Sequence, residues 1–159
     1  MMLNCVQRKR RGRPRTVAIA LIALALLVGC NTLSRQPKMR DAAVTPAQLK
    51  PGDSAVITVK VADRHHVVDR VIGVVQEDPR VEFTLKDDGT PPDHKANDGV
   101  WTLPVDVPFM APPGDFTLVF TAYNSRGDVV MVRMPKKAEA PLTATCKVVI
   151  QYPQEQKQP

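Results

Sequence analysis

The stretch SAVITVKVAD, residues 54–63, decides the class of fold. Ala55, Ile57, Val59 and Val61 alternate with Val56, Thr58 and Lys60. Successive side chains of an extended strand point to opposite faces, so the first four share one face. The same period recurs outward along the chain. VVDRVIGVVQ, residues 67–76, is more uniformly apolar, as expected of a central strand. RVEFTLK, residues 80–86, sets Val81, Phe83 and Leu85 against Glu82, Thr84 and Lys86. VWTLPVDV, residues 100–107, aligns Trp101, Leu103, Val105 and Val107. DFTLVFTAYN (115–124), DVVMVRM (128–134) and TATCKVVIQY (143–152) supply further strands.

Turn residues separate these runs at the spacing expected of an all-β domain. Helical spacing is absent, save for a turn expected at TPAQL, residues 45–49. Seven or eight strands between residues 44 and 152, with prolines at edges and turns, predict an antiparallel β-sandwich. Trp101 and the phenylalanines are expected in its core, not on a ligand platform.

The net charge of +6 suggests a basic protein until it is divided by segment. Arg8, Lys9, Arg10, Arg11, Arg13 and Arg15 precede residue 16, and no acidic residue precedes Asp41. The remaining basic and acidic side chains balance, so the charge belongs to a leader. A neutral domain with few aromatics excludes a nucleic-acid platform.

The leader has the three parts of an export signal. QRKRRGRPR is followed by TVAIALIALALLV, residues 16–28, and then by Gly29-Cys30. The apolar run is shorter than the roughly 18 residues of a membrane span. Leu27-Val28-Gly29-Cys30 resembles the lipobox of bacterial lipoproteins, where an apolar residue and a small one precede a Cys. The resemblance implies that signal peptidase reads Leu27, Val28 and Gly29, cuts before Cys30, and leaves that Cys acylated. One chain binds a bilayer marginally and two anchor stably, at about 0.8 kcal/mol per buried CH₂. The expected partner of Cys30 is therefore the lipid bilayer. Asn31 is unlike the Asp that retains enterobacterial lipoproteins at the inner membrane. The expected location is the cell envelope, at the periplasmic leaflet of the outer membrane in a Gram-negative host.

These readings divide the chain into a signal peptide with its helix (1–29), a lipidated Cys and tether (30–43), the sandwich (44–152) and a polar tail (153–159). Cys5 leaves with the leader and Cys30 carries lipid, so Cys146 is single and no internal disulfide is expected. Its alternation with Val148, Ile150 and Tyr152 places it on the inward face of a strand as an inert thiol.

Inside the sandwich stands LKDDGTPPDHKANDGVWTLPVDVP, residues 85–108. Asp87-Asp88-Gly89, Asp93, Ala96 and Asp98-Gly99-Val100-Trp101, followed by Pro112-Pro113-Gly114-Asp115-Phe116, form a pattern. It resembles that of Ig-like or fibronectin-III-like modules in exported bacterial proteins, including choice-of-anchor-type proteins, and of chloride-channel accessory proteins. The resemblance spans residues 51–134. It implies an accessory Ig-like fold in an extracellular type of setting, and no reaction.

Asp87, Asp88, Asp93 and Asp98 are candidate calcium ligands, because carboxylates and loop carbonyls are the hard oxygens that Ca²⁺ takes. Their spacing is not that of an EF-hand. The competing reading is turn chemistry, in which Asp-Gly pairs supply left-handed positions and Asp side chains cap loop amides. His65 and His66 are adjacent, so in a strand they face opposite sides and cannot share a metal; a turn is expected there. His94 stands alone in the acidic loop.

No nucleophile elbow, zinc-protease helix, paired-Cys motif or phosphate loop is present in the sequence, and no catalytic residue is expected. The expected function is a lipid-anchored, non-catalytic interaction module that docks another envelope protein by strand edges or loops. The alternative is a structural or calcium-stabilised spacer.

Overall fold

β-Branched and aromatic residues at alternate positions build a layered all-β domain in the computed structural model, which describes residues 36–134 and 138–152. Ten strands follow in chain order. They are β1 (Lys38–Thr45), β2 (Gln48–Leu49), β3 (Ser54–Ala62), β4 (Arg70–Val75) and β5 (Asp78–Leu85), then β6 (Val100–Asp106), β7 (Gly114–Tyr123), β8 (Met131–Arg133), β9 (Glu139–Pro141) and β10 (Thr143–Ile150). One sheet runs β1-β3-β6 and the other β2-β10-β7-β4-β5; β8 and β9 form a small ribbon. All pairs are antiparallel except β2 with β10, which are parallel. The last long strand thus lies inside its sheet, between β2 and β7.

The core is the seam between the two sheets. Ala55, Ile57, Val59 and Val61 of β3 are all buried, as their alternation predicts. They meet Val71 of β4, Leu118, Phe120 and Ala122 of β7, and Val148 of β10 in one cluster. Full burial of such a Val, Leu or Phe contributes roughly 1.5–3 kcal/mol. Trp101, Leu103 and Val105 are half-buried against the same cluster, which makes Trp101 a core residue as expected.

Four expectations need correction. The tether assigned to residues 30–43 overlaps β1, because Met39 and Val44 are buried and Ala42 packs on the core. A bulge at Asp41, with φ 53°, breaks the alternation that would have revealed the strand. At TPAQL there is no helical turn; Gln48–Leu49 is β2, paired with Val149 and Ile150. The strands number ten rather than seven or eight, the additional ones being pieces of two or three residues. The central strand starts at Arg70, since Asp63 accepts the amides of His65 and Val68 and holds that segment in a turn. His65 and His66 therefore lie in a turn, as expected.

The edge strands of the two large sheets are blunted. β1 carries the bulge and the Lys60–Asp41 ion pair. Pro104 in the middle of β6 and Pro79 in β5 each remove an amide donor, and β2 has two residues. Such devices prevent the addition of a foreign strand. Among the described residues, no helix is long and apolar enough to cross a membrane. Leu27, Val28, Gly29 and Cys30, with the signal segment and the tail, lie outside the described residues.

Candidate functional site

The acidic loop joins β5 to β6 and is held at both ends by backbone. Lys86 and Thr102 exchange two hydrogen bonds of 2.9 and 2.8 Å, which close the loop neck and bury Thr102. Gly99 (φ 84°) lies so close to the Val61 carbonyl that no Cβ fits, and its own carbonyl accepts the Val61 amide at 2.7 Å. Only glycine tolerates both conditions.

Within this frame the aspartates turn inward. The two oxygens of Asp87 accept the amides of Asp98 (3.2 Å) and Gly99 (2.9 Å). Asp93 is 4% exposed, and its carboxylate accepts the amides of Gly89 (2.7 Å) and Lys95 (3.1 Å). Asp98 accepts the amide of Val100 at 2.9 Å. One oxygen each of Asp87, Asp93 and Asp98 fall within 4.8 Å of one another. Asp88 stands apart from this cluster. It accepts the Thr90 amide at 2.8 Å, which holds its carboxyl below the usual range, with Lys86 3.8 Å away. His94 is exposed and outside the cluster.

Three of the four predicted aspartates therefore converge, and all four serve the turn. The two roles are compatible, because a carboxylate oxygen that accepts one amide keeps a second lone pair. The loop offers hard oxygen donors and a buried negative charge, the chemistry a calcium ion fits.

The other end of the sandwich holds a feature that the strand pattern missed. Val107 returns its carbonyl to Gly52 and its amide to Asp53, both at 2.8 Å, which fixes the exit from β6. The Ala111 amide then donates to the Pro108 carbonyl at 2.9 Å, closing a four-residue turn. Its two central residues are Phe109 and Met110, 82% and 90% exposed, so Phe109 lies outside the core in which the phenylalanines are expected. Gly, Asn and Asp are the usual occupants of such turn positions. The Phe109 ring lies against Gly52, where a Cβ would stand 2.6 Å from its Cε1. The Tyr152 hydroxyl donates to the Ala111 carbonyl at 3.0 Å and ties the C-terminal end to the turn. Two large apolar residues inside VPFMAPP were the available signal.

Cys146 is half-buried against the core, and desolvation raises its thiol pKa, consistent with the inward position expected of it.

No protein-family model matches the chain, and no curated protein matches it. Among solved structures, it is similar to a Niemann-Pick type C2 protein from Japanese carpenter ant, at 14% sequence identity. The match covers 79% of this chain and 96% of that one with a TM-score of 0.43, too loose to carry a functional argument.

Proposed function

We propose that the chain is a lipid-anchored envelope protein whose β-sandwich is a non-catalytic protein-interaction module. The observation that carries the interaction reading is the exposure of large apolar side chains on a domain whose core is already filled. Phe109 and Met110 at one end, and Met131 in β8 with Met134 just after it, stay outside. Apolar side chains exposed side by side, as Phe109 and Met110 are, are the material of docking surfaces. The blunted edges favour docking through side chains and loops over strand addition. The basic leader, the apolar run and Leu27-Val28-Gly29-Cys30 support an anchor, acylated at Cys30 and seated at the outer membrane of a Gram-negative host.

The test is fractionation and cross-linked capture of the full-length protein beside a Cys30→Ser variant. Wild type in the membrane fraction with one dominant companion protein supports the reading. A wild type that partitions as the variant does overturns the anchor, and scattered background overturns the interaction.

The convergence of Asp87, Asp93 and Asp98 favours a second reading, a calcium-stabilised spacer. These ligands would brace the loop and require no partner.

A further inference from the structure

We propose that the Pro108–Ala111 turn is the docking tip, and that Phe109 and Met110 enter an apolar socket on a partner protein edged by Lys and Arg. This rests on the interaction-module reading above. Three observations lead to it. The apolar pair is presented rather than loose: the turn is hydrogen-bonded, pinned by Tyr152, and the Phe109 ring rests on Gly52. A rigid, protruding aromatic beside a methionine is the kind of anchor that dominates protein interfaces.

The rim around the pair is acidic. Register places Asp53, Glu77, Asp106 and Asp115 at this end of the strands, against two ammonium groups among the described residues, Lys50 and Lys147. Asp78 and Arg80 cancel as an ion pair at 2.8 Å. A carboxylate rim repels an anionic bilayer surface and a second copy of the same tip. It complements a socket edged by cations, which also steers the encounter.

The tip also faces away from the point where the chain enters the domain. Lys38 pairs with Ala62, at the far end of β3, whereas Ser54 pairs with Asp106 beside the turn. The intervening stretch of β3 spans roughly 27 Å. Lys38, where the described chain begins its first strand, thus lies at the end of β3 opposite the tip.

The test places a photo-cross-linking benzoylphenylalanine at position 110 of the full-length chain in its native envelope, and in a parallel chain at the exposed Val81 of β5. The expected result is one protein joined at position 110, through a peptide of apolar residues flanked by Lys or Arg. The Phe109→Ser change should then reduce the yield roughly tenfold or more. Asp53→Lys with Asp115→Lys should reduce it several-fold and weaken its salt dependence. Met110 is almost fully exposed, so Met110→Ser, read by co-purification of the protein found by cross-linking, should lose the contact without disturbing the fold. Cross-links from position 110 to phospholipid, or to a second copy of this chain, overturn the proposal. A silent position 110 beside a productive position 81 overturns the tip and leaves the interaction reading standing. Silence at both overturns the two together.

Discussion

The ring of Phe83 occupies the space that a side chain at Gly73 would fill. Gly73 pairs with Phe83 across to β5 and with Phe120 across to β7. The two rings meet over it edge to face, 6.1 Å apart at 68°. The missing Cβ is thus what allows an aromatic from an edge strand to reach the centre of the core. Gly73→Ala should cost about 1–3 kcal/mol by overpacking. Phe83→Ala should cost about 2 kcal/mol, since the ring is half-buried. Urea unfolding should show the double variant less destabilised than the two single changes predict together, by roughly 1 kcal/mol. Simple additivity would refute the packing relationship.

Within the acidic loop, the aspartates should differ in stability. Asp93→Ala removes the acceptor of two amides in a buried position and should cost roughly 1–3 kcal/mol. Asp98→Ala loses one exposed hydrogen bond and should cost less, about 0.5–1 kcal/mol. Equal losses in urea melts would contradict the burial seen here.

Calcium gives the loop a separate test. Millimolar calcium should raise the melting temperature of the wild type, and Asp98→Ala should abolish the rise while leaving the fold intact. Asp88→Ala should keep it, because Asp88 lies outside the cluster. An unchanged melting temperature with calcium sinks the spacer reading.

Glu77 gives a pH signature at the opposite end of the sandwich. Both its oxygens accept the Thr117 amide, at 3.0 and 2.9 Å, and this backbone bond lowers its pKa from 4.5. A lowered folded-state pKa adds stability that is complete above the unfolded value and is lost as pH falls through the folded one. Glu77→Gln should melt lower than wild type at pH 7, with the gap closing below pH 4.5. A gap constant from pH 7 to pH 3 would show that the carboxylate charge plays no part.

Burial of Cys146 should appear as slow chemistry. In a chain with Cys5 and Cys30 replaced by Ser, maleimide should label the folded protein at least about tenfold more slowly than the urea-unfolded one, because less thiolate forms. Equal rates would place the thiol in solvent.

The sequence made β3 legible because its alternation is unbroken and one whole face is buried. β1 was hidden because Lys38, Arg40 and Asp41 fall around a bulge, and a bulge shifts the period by one residue. β2 is too short to have a period at all. The aspartates could be read as a cluster, since four carboxylates in one short loop must meet or repel. The exclusion of Asp88 depends on which amide each carboxylate caps, which spacing does not encode. Phe109 and Met110 lie between strands, where no alternation marks which side chains face out.

The interior position of β10 carries a consequence for the order of folding. Residues 143–150 supply the partner of β2 and one whole side of β7. Until they are in place, the larger sheet lacks its second strand and the two apolar layers cannot close. The sandwich therefore closes only when both ends of the domain sequence have met, and a truncation before Thr143 leaves β2 and β7 without their partner strand.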